Sequence, residues 1–161
     1  MLKSYTVIKC DFNFPNSVKY PSILVYVNET TTIYPQSGKG VILTGVEYLL
    51  AKSQNCEIII KEVYSISFSK SSKSSPFKDI IHEIQSKQRE YPKGLITNLM
   101  YKEIGNSIYK SIVRGVSNKK KYDNKSKQTT QMKAHYLTNP VIASWTTAYI
   151  RSVIGECLNN V

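Results

Sequence analysis

The chain has 161 residues and a formal net charge of +11, and 41% of its residues are hydrophobic. This length is enough for one domain with a core, and the hydrophobic content excludes a disordered chain. The positive charge favours a polyanionic partner (nucleic acid, a nucleoside triphosphate or an anionic membrane surface) over a surface that is basic only for solubility. No apolar run reaches the ~18 residues that a transmembrane helix needs, so we expect no membrane span.

Cysteine and histidine are scarce and widely spaced. The cysteines are Cys10, Cys56 and Cys157, and the histidines are His82 and His135. No Cys-x-x-Cys spacing exists, so the sequence predicts neither a zinc site nor a disulfide framework. We therefore expect that the chain alone binds no metal ion and that it works in a reducing compartment.

The first half of the chain is predicted to be mostly sheet. Apolar and polar residues alternate over residues 6–14, which is the pattern of a half-buried strand. Further elements are predicted as strands at 23–27, 31–34 and 57–68 and as a turn at 35–38. Thr44 and Glu47 have the spacing of a capping box, which predicts a short helix that ends near Lys52.

The second half is predicted to be helical. Ser75 and Pro76 have the residue types of an N-cap and a first helical position, and an apolar stripe with helical spacing follows over residues 77–91. A tight turn at 91–94 leads into a second helix over 95–113. Two helices joined by so short a turn are predicted to form an antiparallel hairpin.

Two segments complete the chain. Residues 117–135 are the most polar, and their cationic run fits either a solvated loop or a contact with phosphates. Asn139 and Pro140 then begin a long helix that ends near Leu158. Its apolar residues cover most of the circumference, so the helix is predicted to be largely buried: Val141, Ile142, Trp145, Ala148, Tyr149, Val153 and Ile154. Arg151 is the exception and is expected to face solvent or an acidic partner. Strands first and helices after predict an α+β fold.

The second helix of the hairpin carries a polar face. Wound at about 100° per residue, Lys102, Asn106 and Tyr109 fall within about 60° of one another. Aliphatic residues lie on nearly the opposite face, which is predicted to be buried: Met100, Ile104 and Ile108. A structural amphipathic helix does not need a cation, an amide and a phenol together, so we expect a polar ligand against this face.

The stretch Lys102-(three residues)-Asn106-Ser107-Ile108-Tyr109 resembles the fingers motif of the family B DNA polymerases, Lys-x-x-x-Asn-Ser-x-Tyr-Gly. The likeness is closest to the protein-primed branch found in linear mitochondrial plasmids and certain phages. Other segments are similar to the family in the same order: 19–22 with 34–38, then 44–47, 77–89 and 139–151. The resemblance covers nearly the whole chain, and the order of these weak motifs is more specific than any one of them.

The resemblance implies a role for each residue of the polar face. Lys102 would contact the triphosphate of an incoming deoxynucleotide, and Arg89 on the preceding helix would be the second cation. Tyr109 would border the base-pair pocket, and Asn106 would shape it. Convergent cations would offset the roughly four negative charges of a triphosphate and orient the leaving group.

The residues themselves leave alternatives open. Lys102 also fits an ordinary solvated lysine, and Arg89 fits one half of a surface pair with Glu83 or Glu90. The cationic run is the candidate for DNA contact: Lys119, Lys120 and Lys121. By resemblance, the chain divides into a palm-associated β-rich region (1–75), the fingers helical hairpin (76–115), and a basic loop with a palm helix (116–161).

The carboxylates that the family uses for catalysis are missing from the sequence. Family B polymerases bind two magnesium ions through an Asp-x-x-Ser-Leu-Tyr-Pro motif and an Asp-Thr-Asp motif. This chain has only Asp11, Asp79 and Asp123, and it has no Asp-x-Asp. We therefore expect Mg²⁺ in a complete enzyme, no catalytic residue and no bound ion in this chain alone, and a chain that lies between the two motifs. Lys110 stands where the family has glycine, which puts full polymerase geometry in doubt.

Three hypotheses follow from the resemblance. The chain is part of a protein-primed family B polymerase that binds deoxynucleotide and DNA and has no activity alone; or it is one chain of a split polymerase, completed by other segments in trans; or it is a non-catalytic basic module that binds nucleic acid, for example on the ribosome. Lys, Asn, Ile and Ser are abundant, which suits an AT-rich genome, and the likeness to plasmid polymerases indicates the mitochondrion.

Overall fold

The computed structural model describes residues 4–28, 31–67, 77–116 and 120–159. Contacts within the chain group into two compact units. Unit 1 comprises Met1–Ser69 and Ser144–Val161, and unit 2 comprises Lys70–Ala143. The predicted N-cap pair Ser75 and Pro76 lies outside the described residues, as does Lys119.

Unit 1 is built on a three-stranded antiparallel sheet with the order β4-β1-β5. The strands are β1 (Ser4–Asn13), β4 (Ser37–Thr44) and β5 (Glu57–Ser67). A separate two-stranded pair is formed by β2 (Val25–Tyr26) and β3 (Thr32–Ile33). The predicted turn at 35–38 is partly wrong, because β4 already begins at Ser37. Gly38 pairs with Phe12 there, and a Cβ on Gly38 would lie 2.6 Å from a ring carbon of Phe12.

The core of unit 1 lies on one face of this sheet. Alternation along β1 buries Ile8, Cys10 and Phe12, as the period of two predicts. The other members of the buried cluster come from the following loop, β4, the next helix and the residue before β5: Phe14, Ile23, Leu43, Ala51 and Cys56. Burial raises the pKa of the Cys10 thiol.

Helix α1 (Gly45–Ser53) begins with the predicted capping box. The Glu47 carboxylate accepts a hydrogen bond from the Thr44 backbone N–H at 2.9 Å, and the Thr44 hydroxyl accepts one from the Glu47 N–H at 3.5 Å. Glu47 is 5% exposed and also binds Arg151, at 3.0 Å to Nε and 2.6 Å to Nη2. Arg151 therefore has the acidic partner that was one of its two predicted environments.

Helix α4 (Pro140–Asn159) is as long as predicted, and the α+β class is confirmed. The prediction that α4 is largely buried is wrong for three of the seven apolar residues on which it rested. Tyr149, Val153 and Ile154 are exposed, whereas the buried residues of the helix are small: Ala143, Ala148, Ser152 and Gly155. A Cβ on Gly155 would lie 3.1 Å from Leu50 Cδ2, so the helix approaches its neighbours through its smallest side chains.

Unit 2 contains the predicted helical hairpin, formed by α2 (Lys78–Arg89) and α3 (Ile96–Val113). Asn98 donates to the carbonyl of Gln88, while Gly105 faces Ile84 one turn further back on α2. Advancing along α3 therefore moves back along α2, which makes the pair antiparallel. The predicted burial of the aliphatic stripe on α3 is wrong for Met100 and Ile104, which are 56% and 40% exposed.

The polar segment after α3 is not simply a loop. Strands β6 (Lys120–Asp123) and β7 (Gln128–Gln131) pair as a two-stranded antiparallel ribbon. The Asp123 carboxylate accepts from the Lys125 N–H and the Ser126 hydroxyl, both at 3.0 Å, and so fixes the turn. Within the ranges described above, no helix is both long enough and apolar enough to cross a membrane.

Candidate functional site

The polar face of α3 is present as predicted and faces outward. Lys102 and Asn106 are exposed, and Tyr109 is 38% exposed. The helix faces Ile84 of α2 through Gly105, and the Tyr101 ring stacks on Tyr91 in the hairpin turn at 6.1 Å between centroids. Around the helix, Gly105 and Tyr101 lie about 60° and 100° from Lys102, so these contacts border the polar face, which stays exposed at Lys102 and Asn106.

Glu103, which the sequence analysis did not single out, links Asn106 of this face to Lys110. One oxygen of Glu103 accepts from the Asn106 amide at 3.4 Å, and the other lies 2.9 Å from the Lys110 ammonium. The Lys110 hydrogen bond, its charge and the Asn106 amide hold the pKa of Glu103 below its usual value, with a smaller contribution from the charge of Lys102. The spacings i, i+3 and i, i+7 from Glu103 were visible in the sequence and place all three on one side of a helix.

Lys110 fits its position without backbone strain. It lies inside α3, and the positive φ angles of non-glycine residues in the described ranges are at Asn55 and Lys127. The glycine that the family motif has at this position is therefore not required by the backbone of this helix. The side chain of Lys110 folds back along the helix to Glu103, in the direction that helical rotamers favour.

The second predicted cation, Arg89, lies beside the turn of the hairpin. It ends α2 and lines a cavity of about 390 Å³ at the turn of the hairpin, whose other lining residues are Gln85, Gln88, Tyr91, Lys93 and Asn98. Lys102 is not among the lining residues. Glu90, one of the two alternative partners of Arg89, pairs instead with Lys87 at 3.3 Å, and Arg89 has no carboxylate partner among the described side chains.

Asn98 is a second residue that the sequence did not single out. It is 7% exposed, and its amide donates to the carbonyls of Gln88 at 2.8 Å and Tyr91 at 2.9 Å. These bonds join the first turn of α3 to the end of α2, so they hold Arg89 in a fixed place relative to α3. No spacing rule predicts such a contact, because its partners are backbone atoms across a turn.

The ribbon separates the two described lysines of the cationic run. Lys120 pairs with Gln131 and Lys121 with Thr130, and successive strand residues point to opposite faces. Lys120 therefore shares a face with Tyr122, which is 59% exposed, while Lys121 lies on the other face with Asp123. Lys119 lies outside the described residues.

The described residues do not fit the magnesium ions of a polymerase. Within the part of the chain that the structure describes, no group of three His, Cys, Asp or Glu side chains comes together. Asp11 accepts from the Gly40 N–H at 2.7 Å and pairs with Lys61 at 2.7 Å, and Asp123 closes the ribbon turn. The carboxylates that would hold such ions are not supplied by these residues.

Comparison with known proteins identifies proteins that are similar to this chain. No family model matches the chain. The primer-independent DNA polymerase PolB of Escherichia coli is 30% identical over 154 residues, which are 92% of this chain and 18% of that protein. The chain thus spans about a fifth of the length of this curated relative.

Two solved structures share the fold. Phi29 DNA polymerase complexed with primer-template DNA and incoming nucleotide matches 96% of this chain and 29% of its own, with a TM-score of 0.57 and 18% identity. The complex of the same polymerase with primer-template DNA alone has a TM-score of 0.55 at 18% identity, and covers 96% of this chain and 28% of its own. Sequence similarity over nearly the whole chain and a common fold confirm the resemblance to the family B DNA polymerases, of whose length the chain spans less than a third.

Proposed function

We propose that this chain is the part of a protein-primed family B DNA polymerase that holds the incoming deoxynucleotide and contacts DNA. The observation that carries the proposal is the open polar face of α3, where the family motif places Lys102, Asn106 and Tyr109 together. Lys102 is exposed and has no ion pair within the described ranges, so its ammonium is available to a triphosphate. Asn106 and Tyr109 would border the base.

Arg89 would meet the same ligand from the end of α2. Arg89 and Lys93 both line the cavity at the hairpin turn, and none of the lining residues is acidic. A phosphate entering there would meet two cations and the amides of Gln85 and Gln88. Charge-assisted hydrogen bonds of this kind are the strong ones, because one partner carries a full charge.

Binding of a deoxynucleoside triphosphate tests the proposal. Lys102→Ala is expected to weaken the affinity for dATP by about tenfold, the effect of one hydrogen bond to a charged group. Lys78→Ala, which removes an exposed lysine from the first turn of α2, is the matched control and should leave the affinity unchanged. Equal affinities for wild type and Lys102→Ala would show that Lys102 is an ordinary solvated lysine.

DNA contact is assigned to the ribbon. Lys120 and Tyr122 share an exposed face without a carboxylate, whereas Lys121 shares its face with Asp123. A face that combines a cation with an aromatic ring suits a nucleic-acid strand, because phosphates meet the cation and bases stack on the ring. The similarity to polymerases that bind primer-template DNA supports this assignment.

The two faces of the ribbon allow a matched comparison. Lys120→Ala should reduce the slope of log affinity against log salt by about 0.7–0.9, the change expected for one phosphate contact. Lys121→Ala removes the same charge from the opposite face and should change the slope less. Equal slopes for the two variants would mean that the ribbon adds only nonspecific charge.

Catalysis would require Mg²⁺ and carboxylates from other segments, within one longer protein or in trans. Primer extension by the 161-residue chain alone, with magnesium and deoxynucleotides, is expected to give no incorporation. Incorporation would refute the inference that catalysis needs carboxylates from other segments.

The likeness to polymerases of linear mitochondrial plasmids supports a mitochondrial location as a separate proposal, which cell fractionation tests.

A basic module that only binds nucleic acid is the second candidate, and the ribbon favours it. All side chains of β7 and most of β6 are exposed, so the ribbon is not held by a core and is suited to an external partner. This candidate predicts salt-dependent binding of DNA or RNA without binding of dATP. Measurable dATP binding that depends on Lys102 would exclude it.

A further inference from the structure

The position of Lys110 has a consequence for the polar face of α3. Glu103 places a carboxylate at the edge of the face proposed to receive a triphosphate, where it binds Asn106. An anion there opposes the ligand in two ways, by repelling phosphates and by competing for the Lys102 ammonium. The charge of Lys102 already contributes to the lowered pKa of Glu103, so the two groups are close enough to interact.

Lys110 is the group that restrains this carboxylate. Its ammonium lies 2.9 Å from Oε2 of Glu103, and the Asn106 amide binds Oε1. Lys110 is two turns further along α3, so the contact draws the Glu103 side chain toward the C-terminal end of the helix. Lys102 precedes Glu103 by one residue and projects from the helix about 100° away. A carboxylate bound to Lys110 is therefore held away from the Lys102 ammonium.

We propose that Lys110 is a positioning residue, which binds Glu103 and so keeps Lys102 free for the phosphates of the incoming nucleotide. The inference rests on the proposed function, since it concerns the same ligand. Lys110 acts through Glu103 and does not itself contact the nucleotide. The lysine at the position of the family glycine thereby compensates for the acidic residue at position 103.

A double-mutant cycle separates this role from a simple loss of charge. The affinity of the full chain for dATP is measured for wild type, Lys110→Met, Glu103→Gln and the double variant. The through-space effect of removing the Lys110 charge is common to both backgrounds and cancels in the cycle. The remaining coupling is the effect that requires Glu103.

Lys110→Met is expected to weaken dATP binding at least about threefold more in the wild-type background than beside Glu103→Gln, a size suited to partly screened surface charges. Lys110→Arg, which keeps the cation, should retain wild-type affinity. Equal losses in both backgrounds would show that Lys110 contacts phosphate directly, and unchanged affinity would show that it has no role; either result overturns the inference. Both side chains are about two-thirds exposed, at 67% for Lys110 and 64% for Glu103, and circular dichroism would verify that the variants fold.

Two readouts keep this inference distinct from the proposed function. If Lys102→Ala leaves dATP binding unchanged, the proposed function itself fails. If Lys102→Ala weakens binding while the cycle shows no coupling, only the role of Lys110 fails. Independently of nucleotide, NMR titration of the Glu103 carboxyl should show a higher pKa in Lys110→Met than in wild type, and an unchanged pKa would contradict the contact.

Discussion

Glu47→Gln is expected to destabilise unit 1 substantially although it preserves the shape of the side chain. Glu47 is 5% exposed, and its two oxygens accept hydrogen bonds from Thr44 N and Oγ and from Arg151 Nε and Nη2. An amide replaces one acceptor oxygen by an NH₂ group, which cannot accept, so contacts on that side are lost. The charge that balances Arg151 is lost as well.

The size of the effect follows from these contacts. A hydrogen bond to a charged group contributes roughly 1.5–3 kcal/mol, and breaking a buried ion pair costs roughly 3–5 kcal/mol. The Arg151 side chain is 27% exposed, so water would partly satisfy it after the substitution. We therefore expect Glu47→Gln to lower the free energy of unfolding by about 2–3 kcal/mol.

The fluorescence of Trp145 reports on the unfolding of unit 1, which contains Glu47. It is the single tryptophan of the chain, and its ring meets Tyr5 edge-to-face at 6.1 Å within unit 1. Urea unfolding followed by its fluorescence measures the stability of unit 1, whatever unit 2 does. The reasoning is refuted if Glu47→Gln shifts the free energy no more than Glu62→Gln, which breaks the exposed pair of Glu62 with Lys9 in the same unit.

The remaining predictions concern the turns and the sheet. Asn98→Ala should cost about 1–3 kcal/mol by removing two buried hydrogen bonds, and hydrogen exchange should show faster opening of the hairpin turn than in wild type. Gly115→Ala should destabilise unit 2 more than Gly94→Ala. Both glycines have positive φ (76° and 97°), but of the two only Gly115 has a Cβ position 2.6 Å from backbone atoms. Equal shifts in melting temperature would contradict this prediction. Hydrogen bonds from Lys61 and the Gly40 N–H lower the pKa of Asp11. The ionised carboxylate therefore stabilises the fold above the usual aspartate pKa, and this contribution is lost as the pH falls. Asp11→Asn should reduce the loss of stability that urea unfolding shows between pH 7 and about pH 3.

Local signals in the sequence predicted the helices well. Thr44 and Glu47 formed the capping box that their spacing indicated, and Asn139 accepts from the Ile142 N–H at 3.0 Å at the start of α4. Such contacts are made within one turn, so sequence spacing determines them. The ribbon was missed for the opposite reason: β6 and β7 carry little apolar alternation, and their pairing is fixed by the Asp123 turn and not by a buried face.

The candidate site was predicted in part. Periodicity placed Lys102, Asn106 and Tyr109 on one face because a single helix carries all three. Arg89 was assigned to the same ligand, but its place in the cavity at the hairpin turn depends on Asn98, whose bonds run to backbone carbonyls of another element. The role of Glu103 depends on the conformation of its side chain. Asn106 and Lys110 are both within reach by their spacing in the helix, but the structure was needed to show that Glu103 binds both.

The exposed side of α4 shows that an apolar pattern in the sequence does not by itself predict burial within the chain. Tyr149, Val153 and Ile154 fit the pattern of a buried helix, yet the described residues leave them 60%, 42% and 53% exposed. The packed side carries Ala148 and Gly155, small residues about two turns apart, and Gly155 allows close approach to Leu50 of α1. Hydrophobicity indicates that a side chain suits burial and says nothing about what buries it, whereas small residues in helical spacing mark a face that another element must approach closely. In a chain that spans less than a third of its relatives' length, the second signal was the better predictor of packing within the chain.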